Sequence, residues 1–253
     1  MRVSKISGGY PGGFYLKKIS FVIEKGKMYA LLGLNGSGKT TILKMICGLL
    51  KTESGNVFVE NIDILSLTEK ERAKIISYVP QESNIVYDMS VLDVILMGIS
   101  PYLKIFQSPN RKHVEQAYSL LKKLGIEDLG ETNYQILSGG LKRIVIIARA
   151  LLQNGEYMIL DEPDSNLDLI NKHKLMKKIR EITDTYQKGC LISMHDPEYA
   201  LNYCDNILLL REGRILEIDL NTEDKISIEN KLREIYGNIK ILQYKQKYVF
   251  YYE

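Results

Sequence analysis

The sequence predicts an α/β fold built on a mostly parallel sheet, with an antiparallel β portion at the N-terminal end and a helical insertion between strands. Three observations carry this. Apolar strand-like runs at 28–32, 74–79, 157–161 and 190–194 alternate with helical patterns, the order expected of parallel strands joined by helices. Short alternating apolar and polar segments crowd residues 1–30, as in antiparallel strands. From residue 83 to about 153 helical periodicity replaces strand signals.

In order, residues 19–23 read as a strand, with turn signals at Gly8-Gly9 and Gly12-Gly13. The run 28–32 enters Gly33-Leu34-Asn35-Gly36-Ser37-Gly38-Lys39-Thr40, followed by the buried helical run 41–47. Gly, four residues, then Gly-Lys-Thr between a strand and a helix is the phosphate-loop pattern. Glycine lets the backbone wrap closely around an anion, and backbone N–H groups with the positive helix end then face phosphates. Lys39 is expected to meet the β- and γ-phosphates of a nucleotide and the Thr40 hydroxyl to ligate Mg²⁺.

A strand at 56–60 and a buried one at 74–79 follow, the latter ending at Pro80-Gln81. Within the insertion, Val91, Leu92, Val94, Ile95 and Leu96 suit an apolar helix, and Val114, Ala117, Leu120, Leu121 and Leu124 an amphipathic one. Ser100-Pro101 and Ser108-Pro109 mark a loop between them. The strand 157–161 ends in Asp161-Glu162, a helix spans 171–184, and the strand 190–194 ends at His195. A hairpin joins 206–210 to 214–218 through Glu212-Gly213, a helix covers 228–236, and 239–252 reads as one or two edge strands. With no internal repeat, the 253 residues form one nucleotide-binding unit. Residues 1–82 and 154–220 are its core, 83–153 the helical subdomain and 221–253 a C-terminal extension.

Bulk properties exclude several classes. The chain is 45% hydrophobic and 26% charged, with a net charge of +3, ordinary for a globular protein and too weak a charge to imply nucleic acid. Cys47, Cys190 and Cys204 form no pair motif and read as small core filler in a reducing compartment. Met1-Arg2-Val3-Ser4-Lys5 begins no secretory leader. No apolar run approaches the roughly 20 residues that span a bilayer, so any membrane role depends on a partner.

Phosphoryl transfer needs a carboxylate for the metal and a group to orient water. At the strand tip Asp161 suits the first role, through Mg²⁺-bound water, and Glu162 the second, as general base. Leu137-Ser138-Gly139-Gly140 then precedes the helical run 144–152, a second helix start of anion-binding type. In this order the motifs resemble those of the ATP-binding cassette ATPases, over nearly the whole chain.

The resemblance implies roles residue by residue. Asn35, Gly36, Ser37, Gly38, Lys39, Thr40 and Thr41 would hold ATP, while Gln81 would touch Mg²⁺ and report to a membrane partner. Ser138, Gly139 and Gly140 would close over the ATP of a second subunit. Asp168 matches the dimer-contact loop, and His195 the histidine that contacts the γ-phosphate. Tyr10 stands where the family has an aromatic that stacks on adenine, with Phe14 and Tyr15 nearby. Residues 94–98 with Pro101-Tyr102-Leu103, and 195–200, 203–205 and 234–237, look most like the ATPase subunits of iron-siderophore, haem and cobalamin importers.

The implied partners are a second ATPase subunit, with a homodimer expected, a polytopic membrane permease and, indirectly, an external substrate-binding protein, with no nucleic acid. The implied location is the cytoplasmic face of the membrane. The chain departs from the family at Leu141, usually a polar residue, and at Arg143 and Ile144, commonly Gln and Arg, while Asp164 and Asn166 are uncommon choices. A soluble ATP-dependent switch acting on ribosomes or DNA, and an exporter ATPase, are the alternative readings.

Overall fold

The computed structural model describes residues 1–10, 14–82, 85–245 and 247–252. Strands β1 (Arg2–Gly9) and β2 (Tyr15–Val22) lead to β3 (Met28–Leu32), which feeds helix α1 (Lys39–Ile46). Then come β4 (Ser54–Val59), β5 (Ile62–Asp63), α2 (Glu69–Ala73) and β6 (Ile76–Val79). Helices α3 (Val91–Leu96), α4 (Arg111–Leu124) and α5 (Gly139–Leu152) precede β7 (Tyr157–Asp161), α6 (Leu169–Tyr186), β8 (Gly189–Ser193) and α7 (Pro197–Tyr203). Finally β9 (Asn206–Arg211), β10 (Arg214–Asp219), α8 (Lys225–Tyr236), β11 (Ile239–Tyr244) and β12 (Lys247–Tyr252) close the chain.

The main sheet has the order β10-β9-β3-β8-β7-β6. Its strands pair in parallel except β10, which runs antiparallel to β9. Every residue of β3, β7 and β8 is buried, as expected of parallel strands covered on both faces. Alternation along β3 sorts side chains to two cores. Met28, Ala30 and Leu32 join a cluster with residues of α3 to α8. Tyr29 and Leu31 join another with α1 and the antiparallel sheet β2-β1-β4-β5.

Helix starts follow local chemistry. Asn110 and His113 form a capping box at α4, which stops at Gly125 with φ of 71°, a left-handed value that favours glycine. Thr68 and Glu71 form another at α2, and Asp196 caps α7 with Pro197 in its first turn. Cys47 and Cys190 are buried and Cys204 partly so, all as free thiols. Burial pushes the Cys190 thiol up to about 12, so it is an inert filler.

Several sequence expectations shift. The strand expected over 74–79 starts at Ile76, because Lys74 still closes α2. Gly8 and Gly9 lie inside β1, not in a turn. A Cβ on Gly9 would overlap the Phe14 carbonyl, so close approach of β2 explains that residue. The pair Gly12-Gly13 lies outside the described residues. Pro101 sits in a 3₁₀ segment, Met97–Tyr102, instead of an open loop.

The tail is the largest correction. β11 and β12 pair only with each other and extend neither sheet. Side chains of α7 take the place of a neighbouring strand. Asn202 Nδ2 donates to Tyr248 O at 2.8 Å and its Oδ1 accepts from Tyr248 N at 3.0 Å, while Glu198 Oε2 accepts from Phe250 N at 3.2 Å. Phe250 meets the rings of Tyr236 and Tyr252 edge-on. Among the described residues no helix is long and apolar enough to cross a membrane.

Candidate active site

β3 delivers the chain into the loop 33–38, and α1 starts at Lys39. Gly36 and Gly38 hold φ of 75° and 100°, values a side chain opposes. At Gly38 a Cβ would also overlap the Phe14 ring. Gly38 caps α1 without a side-chain acceptor, and no acid lies in the first turn. The first-turn N–H groups therefore lack the usual side-chain partner and the positive helix end is uncompensated, as an anion seat requires. Ser37 Oγ is buried with no hydrogen-bond partner among the described residues. Asn35, Gly36, Ser37, Gly38, Lys39, Thr40 and Thr41 line a cavity of about 470 Å³ with Phe14, Glu162 and His195.

Lys39, only 4% exposed, folds back over the loop. Its Nζ donates to Gly33 O at 2.9 Å and Leu34 O at 3.4 Å, with His195 Nδ1 at 3.3 Å and Glu162 Oε1 at 3.9 Å. Burial lowers its pKa, against the pull of Glu162 and Asp161. An ammonium facing Nδ1 makes that nitrogen the acceptor, which leaves Nε2–H of His195 to donate to Glu162 Oε1 at 2.7 Å. On the other side Gln81 Nε2 donates to Glu162 Oε2 at 2.9 Å. Glu162 itself has φ of 42°, a strained backbone for a residue with a side chain and a frequent mark of functional sites.

Asp161, buried at the end of β7, is held from three sides. Thr40 Oγ1 donates to Oδ1 at 3.1 Å, Ser193 Oγ to Oδ1 at 2.8 Å, and Tyr78 OH to Oδ2 at 3.1 Å. Burial and the carboxylate push the Tyr78 hydroxyl far above its ordinary pKa, so it remains a donor. Ser193 Oγ also accepts from Glu162 N at 2.9 Å, locking the two acids together. A hydroxyl and a carboxylate beside an anion seat are hard oxygen donors that suit Mg²⁺, which takes few protein ligands and fills its shell with water and phosphate. No cluster of three or more His, Cys, Asp or Glu able to hold a metal occurs among the described residues, so a metal here would depend on the phosphates it accompanies.

The second helix start is bare. Ser138 caps α5 through its own Leu141 N. Among the described residues a Cβ on Gly139 would meet nothing within 4 Å, and one on Gly140 would come nearest the Asn171 side chain, at 3.7 Å. Neither Ser138, Gly139, Gly140 nor Asp168 lines the loop cavity of the same chain. Asp168 caps α6, accepting from Asn171 N at 2.9 Å and Asn171 Nδ2 at 2.6 Å, and the first of these bonds holds its carboxyl below the usual range. Tyr10 does not line the cavity either; its N–H donates to Phe14 O at 3.3 Å.

The ABC transporter family pattern matches residues 16–165. The chain belongs to the ABC transporter ATPase family. Members of this family hydrolyse ATP to power transport, and this chain is an ATPase of that kind. A Helicobacter pylori protein described as a probable iron chelatin transport ATP-binding protein is 36% identical over 216 residues, 85% of each chain. An ABC transporter of metal-chelate type, in an inward-facing conformation, superposes with a TM-score of 0.83 at 25% identity, over 99% of this chain and 95% of that one. A dimeric ATP-binding cassette bound to ADP and Pi gives 0.75 at 27% identity, over 87% and 98%.

Sequence reading of this ABC ATPase misses Ser193, Tyr78 and Arg143 as parts of the site. Ser193 carries no motif; it matters because β8 pairs with β7 in a register that sets it opposite Asp161. Tyr78 reaches Asp161 from β6, the next strand over. Arg143, visible in sequence only as a departure from the family, bonds the Gln81 loop. The structure also accounts for two uncommon residues. Asn166 holds φ of 62°, which asparagine tolerates, and Asp164 is buried beside Lys172, 3.6 Å away.

Proposed function

We propose that this chain is the ATP-hydrolysing subunit of an importer that carries an iron-siderophore, haem, cobalamin or related metal chelate through a separate membrane permease. One observation carries the hydrolytic part: Glu162, at the lip of the phosphate-loop cavity, is gripped by His195 Nε2 at 2.7 Å and Gln81 Nε2 at 2.9 Å. A carboxylate so oriented beside a phosphate seat suits a general base for water. The cargo class rests on the likeness to the iron chelatin protein and the metal-chelate transporter.

The proposed roles join the geometry of the cavity to the family resemblance. The N–H groups of 36–41 and Lys39 seat the phosphates of ATP, and His195 meets the γ-phosphate. Phe14 borders the loop, and Tyr10, tied to it through the backbone, stacks on adenine. Mg²⁺, held by Thr40 with Gln81 and, through water, Asp161, would neutralise charge on the phosphoryl oxygens. Ser138, Gly139 and Gly140 complete the site of a second subunit, most simply a second copy. Their glycines meet almost nothing within the chain, which is consistent with space kept for another molecule. Asp168 sits at the same contact.

Residues 83–153, carrying α3 to α5, would pass ATP-driven motion to the permease at the cytoplasmic face of the membrane. An external binding protein would deliver the cargo, and 221–253 would brace the core.

The test is Glu162→Gln. It should lower kcat by about 10²-fold or more while ATP holds a stable dimer in size-exclusion chromatography; undiminished turnover would remove Glu162 from the role. Gentle capture from native membranes should bring a polytopic permease at near-equal stoichiometry. Ribosomal or DNA-repair proteins in its place would overturn the transport reading.

A further inference from the structure

Arg143 lies in the second turn of α5, just past the bare glycines, and its guanidinium leaves its own helix. Nη1 donates to Pro80 O at 2.9 Å, and Nη2 to Gln81 O at 2.6 Å and Ser165 Oγ at 3.4 Å. Burial lowers its pKa, yet a guanidinium keeps its charge. Two consecutive carbonyls approached by one planar fork form a contact that neither the single point charge of lysine nor the shorter amide of glutamine reproduces.

Both loops touched by Arg143 end on Glu162. Gln81, whose carbonyl it holds, donates its side-chain amide to Glu162 Oε2 at 2.9 Å. Ser165, whose hydroxyl it approaches, donates its N–H to Glu162 O at 3.1 Å. Three segments far apart in sequence, α5, the loop after β6 and the turn after β7, are thus joined by one side chain beside a cavity of about 240 Å³ whose lining includes Gln81, Arg143, Ser165 and Asn166.

We propose that Arg143 is a positioning residue that sets the orientation of Glu162 from both sides and makes it depend on the placement of α5. Any displacement of the Ser138–Gly140 end moves the fork and with it the Gln81 loop. Hydrolysis is thereby conditional on α5 sitting correctly, and Arg143 carries that condition. The inference rests on Glu162 being the general base. It does not involve the phosphate loop, which Arg143 does not touch.

The experiment compares Arg143→Gln and Arg143→Lys with the parent in the full-length chain. In Arg143→Gln, kcat should fall about tenfold to a hundredfold, the scale of a displaced catalytic group, while KM for ATP changes less than twofold; Arg143→Lys should recover only part. Without nucleotide, hydrogen exchange should quicken at least tenfold at the Ser165 and Leu167 amides, which bond within the 162–167 turn at 3.1 and 3.3 Å, and stay unchanged over α1.

Unchanged kcat and unchanged exchange would overturn the proposal. So would a uniform rise in exchange with kcat restored after correction for folded fraction, which marks a merely structural brace. Parent-like turnover in Glu162→Gln would instead sink the general-base reading, and the exchange pattern would still decide whether Arg143 holds the turn.

Discussion

Two helices of this ATPase begin at glycines, and they are furnished in opposite ways. Around the start of α1 the chain supplies everything itself. Lys39, Thr40, Asp161, Glu162, Ser193 and His195 converge there in one bonded network. Around the start of α5 it supplies almost nothing, and a Cβ at Gly139 would meet empty space. In the first case glycine is dictated from within, by left-handed backbone and by the Phe14 ring. In the second no contact among the described residues demands it. The contrast teaches that the α1 half is furnished on folding, whereas the α5 start keeps open space, which the proposed function assigns to a second subunit's ATP.

The largest effect should come from spoiling each half separately. Gly139→Asp should leave Tm and the affinity for ATP near the parent values, because the position is open, yet lower kcat about a hundredfold by placing a side chain and a charge at the contact. Lys39→Ala should abolish turnover through the other half. Mixing the two inactive chains should restore part of the activity, since one of the two composite sites then joins an intact loop to an intact glycine pair. Failure to complement, with dimers shown to form, would break the comparison.

A middle-sized effect is expected inside the finished half. Ser193→Ala removes a donor from buried Asp161 and an acceptor from Glu162 N, costing about 1–3 kcal/mol. Calorimetry should show a Tm lowered by several degrees, and an unchanged Tm would mean that the network is slack. The smallest effect belongs to the α5 half. Asparagine caps a helix as well as aspartate, so Asp168→Asn should hold Tm within about 1 °C. A kcat reduced severalfold would then show that the carboxylate itself is read by the second subunit.

The same contrast governs what was legible in the sequence. The α1 half is written in contiguous residues, Gly33 to Thr40, with a buried strand before and a helix after, so its place in the fold is legible. Asp161-Glu162 and His195 stand out because they end apolar runs. Ser193 and Tyr78 do not, because their roles arise from strand register across β6, β7 and β8, which no local pattern specifies. Arg143 stood out only as a departure, since its partners are backbone carbonyls of Pro80 and Gln81, about sixty residues away. Alternation marks the tail as strands but does not name the neighbour. Here the neighbour is a helix, α7, offering Asn202 and Glu198. The Gly8-Gly9 pair signals a turn, whereas the smallness of Gly9 serves a close crossing of strands.

Glu162 carries a further consequence. Its backbone sits at φ of 42°, where any residue with a Cβ is held at the expense of roughly 1–3 kcal/mol and glycine is at ease. The position that the proposed chemistry needs is thus one that the fold would rather give away. In a duplicated copy freed from the duty to hydrolyse, random change at this site would tend toward glycine or asparagine, gaining robustness as it loses function. Persistence of glutamate here across generations would therefore be a record of continued use, written against the grain of stability.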